Sequence, residues 1–309
     1  MSKVILIAGP TASGKSALSL NLADRFDGEV INADSMQVYD CLQVLTARPS
    51  IAEMGDVPHH LYGFFPPEDA YSVAHWCADI MPVLQDVLDR GKSAIVVGGT
   101  GLYFKALVEG LSAVPEIEPE IRRVIREQVG QGNIDALYKA LQAEDPTMAA
   151  VLNRADQQRV SRALEVVRST GRSLLAWQEE DKLAPISQLD PMVPISKIVL
   201  LPEREWLYAR CDLRFRLMLE QGVLDEVAHV AGLDPSLPAM RALGVSHLFA
   251  HIRGDSTLEE AIVLSQTATR QYAKRQMTWL RNQFSDWNLI QEKESERIIA
   301  SAYNIVIEN

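Results

Sequence analysis

Apolar residues in the first third of the chain come in short runs separated by amphipathic segments. Three runs have the length of a buried strand, at residues 3–8, 29–33 and 93–97. Helical spacing follows the first run, over residues 17–23, and precedes the third, over about residues 73–90. Strands that are apolar on both faces and alternate with helices are typical of a parallel sheet covered on both sides. The pattern therefore predicts an α/β fold.

The pattern becomes purely helical between about residues 115 and 194. One predicted helix opens at Pro119, and Asp156 is a suitable N-cap for another that ends at Gly171. Residues 197–201 then predict a further core strand, and the rest of the chain is again helical. We therefore predict a core of residues 1–117 and 195–309 with a helical C-terminal region, interrupted by an all-helical insertion of residues 118–194.

The turn after the first strand carries a phosphate-binding sequence. Residues 9–16 read Gly-Pro-Thr-Ala-Ser-Gly-Lys-Ser, which is the G-x-x-x-x-G-K-[ST] pattern between a strand and a helix. Backbone N–H groups and the positive helix N-terminus favour phosphate oxygens there. Lys15 adds a positive charge, and the Ser16 hydroxyl can ligate Mg²⁺ or a phosphate oxygen. The core is thus predicted to be a P-loop parallel sheet, although this nucleotide-binding (ATP-type) motif does not identify the phosphate compound.

Two other polar residues follow predicted strands. Asp34 comes directly after the second strand, and Thr100 lies in a glycine-rich turn after the third. Ligands of open parallel sheets bind at the carboxyl ends of the strands, so both residues are expected on the same rim as the P-loop. A helix-capping aspartate and a simple strand-ending turn are the alternative interpretations.

Composition is ordinary for a globular protein, with 47% apolar and 23% charged residues. We predict no signal peptide and no membrane span, and the three cysteines lack disulfide or zinc spacing, which indicates a cytoplasmic protein. The net charge is −11, yet residues 158–172 and 270–281 are locally basic. These stretches either bind a polyanion or are solvated helix faces. The pair His59–His60 has no third ligand at a readable spacing and is interpreted as structural.

The P-loop, the rim residues and the basic stretches described above together resemble the tRNA dimethylallyltransferase family. The matching segments span nearly the whole chain and lie at residues 9–16, 34–39, 58–61, 98–103, 158–165 and 272–281. The resemblance implies transfer of a dimethylallyl group from dimethylallyl diphosphate to N6 of the adenosine just 3′ of the anticodon. Without the zinc finger of many eukaryotic members, the chain is similar to the compact bacterial type. Leu45 and Arg48 replace a glycine and a lysine of the family pattern.

The resemblance also implies roles for individual residues. Asp34 is the expected general base, and the Thr100 hydroxyl is expected to orient the reacting centre. Mg²⁺ is the expected cofactor, bound by Ser16 directly or through water. The diphosphate would be held by Thr11, Ala12, Ser13, Gly14, Lys15, Ser16 and Arg210. The anticodon stem-loop of tRNA would contact Asp34, Ser35, Met36, Gln37, Arg122, Gln158, Arg159, Val160, Ser161, Arg162, Lys274, Arg275, Gln276 and Arg281.

Three other functions compete with this interpretation. An adenylate dimethylallyltransferase would modify a free nucleotide, a P-loop kinase would phosphorylate a small metabolite, and an RNA-binding switch would respond to NTP without turnover. The helical insertion and the basic stretch at residues 270–281 favour tRNA as the acceptor. No acidic residue ends the third strand, which disfavours NTP hydrolysis. We expect no obligate protein partner, and members of the family often act as monomers.

Overall fold

The computed structural model of the protein describes residues 2–308 and contains a parallel sheet. Its strands, β1 to β6, are Val4–Ala8, Gly28–Asn32, His59–His60, Ser93–Gly98, Ile195–Leu200 and Asn288–Ile290. The spatial order is β3-β2-β4-β1-β5-β6, and every pairing is parallel. The predicted parallel α/β core is therefore confirmed. The carboxyl ends of β1, β2 and β4, which are adjacent in the sheet, lie at one rim.

Helices connect and cover these strands. Within residues 2–308, helices α1 to α14 are Lys15–Arg25, Ile51–Met54, Val73–Asp89, Gly101–Glu109, Pro119–Gly130, Ile134–Glu144, Pro146–Val151, Gln157–Thr170, Leu174–Gln178, Arg204–Glu220, Val223–His229, Val245–Ile252, Leu258–Gln283 and Ser295–Glu308. Short 3₁₀ turns lie at Pro185–Gln188 and Ala239–Arg241. None of the helices in this part of the chain has the length and apolarity needed to cross a membrane.

Capping residues define several helix ends, and two of them, Asp156 and Gly171, are predicted from the sequence. The carboxylate of Asp156 accepts a hydrogen bond from the backbone N–H of Arg159 at the start of α8. Gly171 ends the same helix in the left-handed conformation, with φ of 68°. Asp145 caps α7 by accepting from the backbone N–H of Met148. Each cap satisfies a backbone group that the helix itself leaves without a partner.

The chain divides into two compact units. One comprises residues up to Val108 and from Pro185 onward, and the other is Glu109–Ala184. The helical unit therefore begins at 109 and ends at 184, whereas the sequence placed its limits at 118 and 194. The difference arises because α4 ends at Glu109 and because the 3₁₀ turn Pro185–Gln188 packs against α3 of the larger unit.

Each unit has its own hydrophobic core. In the larger one, alternate residues of the central strand, Ile5 and Ile7, pack with α1 and α14, and the intervening residue Leu6 is equally buried. A strand buried on both faces must be covered on both sides, which explains its uninterrupted apolar sequence. In the helical unit, α5, α6 and α8 meet around Ile125, Leu141 and other apolar side chains. The polar faces of these three helices remain largely exposed.

A buried carboxylate at the amino end of β2 links strand and helix. Glu29 is 3% exposed, and its carboxylate accepts hydrogen bonds from Arg90 and lies 2.7 Å from Nε2 of His60. The bonds from Arg90 outweigh burial and, with His60, lower the pKa of Glu29 from 4.5 to about 2. A depressed carboxylate pKa means that this stabilisation is present above pH 4.5 and is lost as the pH falls towards 2.

We therefore expect Glu29→Gln to destabilise the protein at neutral pH. The loss should be about 1–3 kcal/mol, because Arg90 and His60 lose a charged partner. The difference from the parent should shrink as the pH falls below 4.5. Thermal unfolding at several pH values measures both effects, with Glu68→Gln, a change at an exposed position, as the control. A difference that stays constant down to low pH would contradict this account.

Candidate active site

The P-loop joins β1 to α1 and ends at the N-terminus of that helix. Gly14 precedes α1 with φ of 94°, a conformation that favours glycine, and the first-turn N–H groups of α1 have no partner within the helix. Lys15 donates from Nζ to the carbonyl of Pro10 at 2.7 Å. Burial lowers the pKa of the Lys15 ammonium to about 8, and the charge of Asp34 partly opposes this shift. An anion bound in this loop would replace the missing hydration of Lys15.

Helix α10 brings two arginines to the same loop. Nε of Arg210 donates to the carbonyl of Ala12 at 2.9 Å, and a guanidinium nitrogen of Arg214 donates to the hydroxyl of Thr11. Residues four apart share one helix face, so both side chains reach the loop together. The Arg214 guanidinium is also incompletely hydrated, because burial removes water from it and so lowers its pKa. Sequence reasoning named Arg210 and missed Arg214, although the four-residue spacing was a readable signal.

The structure places Asp34 and Thr100 side by side at the rim. Oγ1 of Thr100 accepts a hydrogen bond from the backbone N–H of Ser35 at 2.9 Å. One carboxylate oxygen of Asp34 accepts from the backbone N–H of Met36 at 3.0 Å. The backbone N–H of Asp34 itself donates to the side-chain oxygen of Asn32 at 2.9 Å. Asn32 is fully buried and was not singled out from the sequence, yet it fixes the backbone that carries Asp34.

Gln276 on α13 connects the P-loop to the Thr100 turn. Its side-chain oxygen accepts from the backbone N–H of Thr11 at 2.9 Å, and its nitrogen donates to the carbonyl of Gly99 at 2.8 Å. Gln276 is 7% exposed. Its side chain is thus engaged within the protein, and its contact with tRNA stays a prediction. The backbone N–H of Thr11, predicted to bind diphosphate, is engaged in the same link.

Three tyrosines lie close enough to Asp34 for its charge to act on them. Burial, and then the charge of Asp34, raise the pKa of Tyr62, Tyr103 and Tyr272 above the ordinary value of 10.0. The phenols therefore remain neutral at physiological pH. Tyr103 also stacks on Trp76, with ring centroids 4.6 Å apart. No sequence motif marked these residues as a group, because they come from three distant segments.

The sequence matches family models and curated relatives over nearly its whole length. The family model described as IPP transferase matches residues 37–283, and the model described as isopentenyl transferase matches residues 2–60. A tRNA dimethylallyltransferase of Parvibaculum lavamentivorans is 46% identical over 310 residues, which cover 99% of this chain and 96% of the relative. The chain belongs to the tRNA dimethylallyltransferase family. The resemblance stated from the sequence is thereby confirmed.

Solved structures of transferases share the fold. A full-length tRNA isopentenylpyrophosphate transferase from Bacillus halodurans is 32% identical, with a TM-score of 0.70, and the match covers 100% of this chain and 96% of that one. A eukaryotic dimethylallyltransferase acting on tRNA is 28% identical with a TM-score of 0.81, covering 100% of this chain and 80% of that one. The α/β architecture is thus common to the family.

The donor set of the site fits a magnesium ion that takes most of its ligands from substrate and water. Within residues 2–308 there is no cluster of three or more His, Cys, Asp or Glu residues able to hold a metal. His59 and His60 contact the Val57 carbonyl and Glu29 instead. The exposed hydroxyl of Ser16 lies in the first turn of α1, beside Lys15. Mg²⁺ commonly keeps several waters and binds substrate phosphates with few protein ligands, so one hydroxyl is a sufficient protein contribution.

Most of the residues predicted to bind tRNA in this family are accessible. On α8, Gln158 and Arg159 are exposed, and Ser161 and Arg162 are partly exposed. Val160 is fully buried in the core of the helical unit, and its contact with tRNA stays a prediction. A helix has one face towards its own core, and Val160 is on that face.

Four other predicted tRNA contacts lie on helices α5 and α13, whereas residues 34–37 lie in the turn after β2. Arg122 on α5 is partly exposed, and Lys274, Arg275 and Arg281 on α13 are exposed. Trp279 packs against Gly101 at the start of α4, where a Cβ on residue 101 would come within 2.1 Å of the tryptophan ring. The exposed basic residues of α13 therefore form a positively charged surface on the larger unit.

Proposed function

We propose that this member of the family transfers a dimethylallyl group from dimethylallyl diphosphate to N6 of the tRNA adenosine just 3′ of the anticodon. One observation carries the proposal: the P-loop, Asp34 and Thr100 converge on a single rim of the sheet. The relatives' names support the acceptor, since the bacterial ones are tRNA dimethylallyltransferases and the eukaryotic one acts on tRNA. A cytoplasmic location is proposed with it, and all three cysteines are free thiols.

The leaving group is held by concentrated positive charge. Lys15, Arg210 and Arg214 surround the P-loop, and the N-terminus of α1 adds its partial charge. As the allylic C–O bond breaks, the diphosphate takes the bonding electron pair, so these donors stabilise the transition state more than the ground state. Ser16 would hold Mg²⁺, directly or through water, and the ion would supply further positive charge to the diphosphate.

The acceptor amine is activated by Asp34. The lone pair of an adenine amino group is delocalised into the ring, so removing a proton during attack raises its reactivity. The new N6–carbon bond forms while the carbon–oxygen bond breaks, and the N6 proton passes to the Asp34 carboxylate. Thr100 positions the segment that carries Asp34 through its bond with the Ser35 N–H.

The acceptor must be presented as an unstacked base. Chemistry on a base requires its extrusion, which costs least in a single-stranded loop. Ser35, Met36 and Gln37 follow Asp34 directly and are available to read the adenine edge. Backbone contacts with the anticodon arm come from the exposed side chains of α8 and α13 and from Arg122.

Affinity for dimethylallyl diphosphate is expected to fall with rising pH. The Lys15 pKa is lowered to about 8, and only its charged form attracts the diphosphate. The affinity is therefore at its maximum well below pH 8 and weakens as the pH rises through and above 8, by at most about tenfold per pH unit. Titration calorimetry from about pH 7 to about pH 9.5 measures this, and Lys15→Arg, which stays charged, should flatten the dependence. Constant affinity across this range in the parent would contradict the role of Lys15.

Nucleoside analysis tests the reaction itself. The protein is incubated with unmodified tRNA, dimethylallyl diphosphate and Mg²⁺, and the digested nucleosides are examined by mass spectrometry. We expect N6-dimethylallyladenosine from tRNA and none from free AMP. Product on AMP alone would instead indicate an adenylate dimethylallyltransferase, and ATP consumption without either product would indicate a P-loop NTPase.

A further inference from the structure

The carboxylate of Glu226 binds three successive backbone N–H groups far from it in sequence. The side chain projects from α11 and accepts from the N–H of Gln43 at 2.5 Å, of Val44 at 2.8 Å and of Leu45 at 2.8 Å. Hydrogen bonds to an ionised acceptor are stronger than neutral ones. A partly buried carboxylate with three backbone donors therefore fixes the position of the segment that it binds.

That segment is the turn formed by residues 42–48, which we call the acceptor turn. It is closed by hydrogen bonds from the N–H of Ala47 to the Val44 carbonyl at 3.0 Å and from the N–H of Arg48 to the Gln43 carbonyl at 2.9 Å. Ala47 has φ of 52°, a conformation that costs energy for a residue with a side chain. Contacts from outside the turn must maintain this conformation, and the Glu226 carboxylate provides three of them.

The two residues that depart from the family pattern also anchor the acceptor turn. Leu45 is 7% exposed and packs in a hydrophobic cluster with Phe215 and Val227. The Arg48 guanidinium donates to the Asp40 carbonyl at 2.9 Å. The turn is therefore held by the apolar packing of Leu45 and by the hydrogen bond of Arg48, in addition to the Glu226 carboxylate.

The acceptor turn also determines which hydrogen-bonding groups of the Gln37 side chain remain available. The side-chain nitrogen of Gln37 donates to the carbonyl of Thr46 at 2.9 Å and to the carbonyl of Ala47 at 3.0 Å. An amide nitrogen has two hydrogens, so both are occupied, and the side-chain oxygen is left as a pure acceptor. Gln37 lies three residues after Asp34 on the same rim segment.

We propose that Glu226 is a positioning residue for the acceptor base. By clamping the acceptor turn it fixes the Gln37 amide with its oxygen free to accept from the exocyclic amine of the target adenosine. This inference rests on the proposed function, since it assigns the acceptor side of the same site. It predicts that Glu226 affects the use of tRNA and not the binding of the diphosphate, although the residue belongs to neither binding surface.

A double-mutant cycle between Glu226 and Gln37 tests the proposal. For Glu226→Gln we expect kcat/KM for an anticodon stem-loop to fall about tenfold, while KM for dimethylallyl diphosphate stays within about twofold of the parent. Gln37→Ala should cause a similar loss, and the double variant should be no worse than Gln37→Ala alone. Asp225→Asn, which removes the same charge from the neighbouring exposed position of α11, is the matched control and should resemble the parent.

Additive losses in the double variant, or equal changes in KM for both substrates, would overturn the proposal and leave Glu226 a support of the fold alone. The NMR signals of the Gln37 side-chain amide provide a readout independent of turnover. They should shift and exchange faster with solvent in Glu226→Gln but not in Asp225→Asn, and unchanged signals would also overturn the proposal. If the parent forms no dimethylallyladenosine, the proposed function fails, while the amide signals still decide whether Glu226 positions Gln37.

Discussion

Replacing Asp34 with asparagine is expected to lower the rate of dimethylallyl transfer by about 10²–10⁴-fold, the usual contribution of a positioned general base. Asparagine has nearly the same shape and keeps an oxygen that can accept from the Met36 N–H, as Asp34 does at 3.0 Å. What it loses is the capacity to take the N6 proton. Single-turnover measurement with saturating tRNA and dimethylallyl diphosphate reports this loss without interference from product release.

The binding of tRNA should be nearly unchanged in the same variant. The contacts proposed for tRNA come mainly from exposed side chains of α8 and α13, which the change does not touch. Asp40→Asn is the matched control, because it removes a carboxylate at an exposed position of the same loop and should retain parental turnover. Unchanged turnover of Asp34→Asn would remove Asp34 from the mechanism, and a parallel loss of tRNA affinity would make its role one of binding.

Gly98→Ala is expected to cause the largest loss of stability among single changes at the rim. Gly98 ends β4, and a side chain there would come within 2.0 Å of the Ala33 carbonyl oxygen, immediately before Asp34. Backbone cannot yield as a flexible side chain can, so the ends of β2 and β4 must move apart. We expect destabilisation of at least about 3 kcal/mol, at the upper end for overpacking.

Thermal unfolding and turnover together separate this effect from a general sensitivity to alanine. Separation of the strand ends would also break the bond between Thr100 and the Ser35 N–H, so any folded fraction should be inactive. Gly232→Ala is the control, since a side chain at that position meets no atom within 4 Å. A melting temperature of Gly98→Ala close to that of Gly232→Ala would contradict the close approach of β2 and β4.

The sequence was sufficient where function depends on local patterns. Apolar runs identified β1, β2 and β4, and the rule that ligands bind at the ends of parallel strands placed the P-loop, Asp34 and Thr100 together. Strands β3 and β6 have only two and three residues, which is too short for any periodicity to be read.

Contacts that join distant segments were not readable. Gln276 reaches Thr11 across 265 positions, and its sequence context on a basic helix indicated an exposed residue. The same limit applies to Val160, which lies in a basic segment but faces the core of the helical unit. Family resemblance could assign both to tRNA binding, but only packing shows which side of a helix is covered.

The most direct test of the account is whether diphosphate release requires the acceptor amine. The protein is mixed with dimethylallyl diphosphate and one of two anticodon stem-loops, which differ only in adenosine or guanosine at the position 3′ of the anticodon, and both products are followed in a single turnover. The account predicts diphosphate and dimethylallyladenosine in equal amounts with adenosine and neither with guanosine. Equal release of diphosphate from both stem-loops would show that the P-loop cleaves its ligand independently of N6, and would contradict the assignment of this site as a tRNA prenyltransferase.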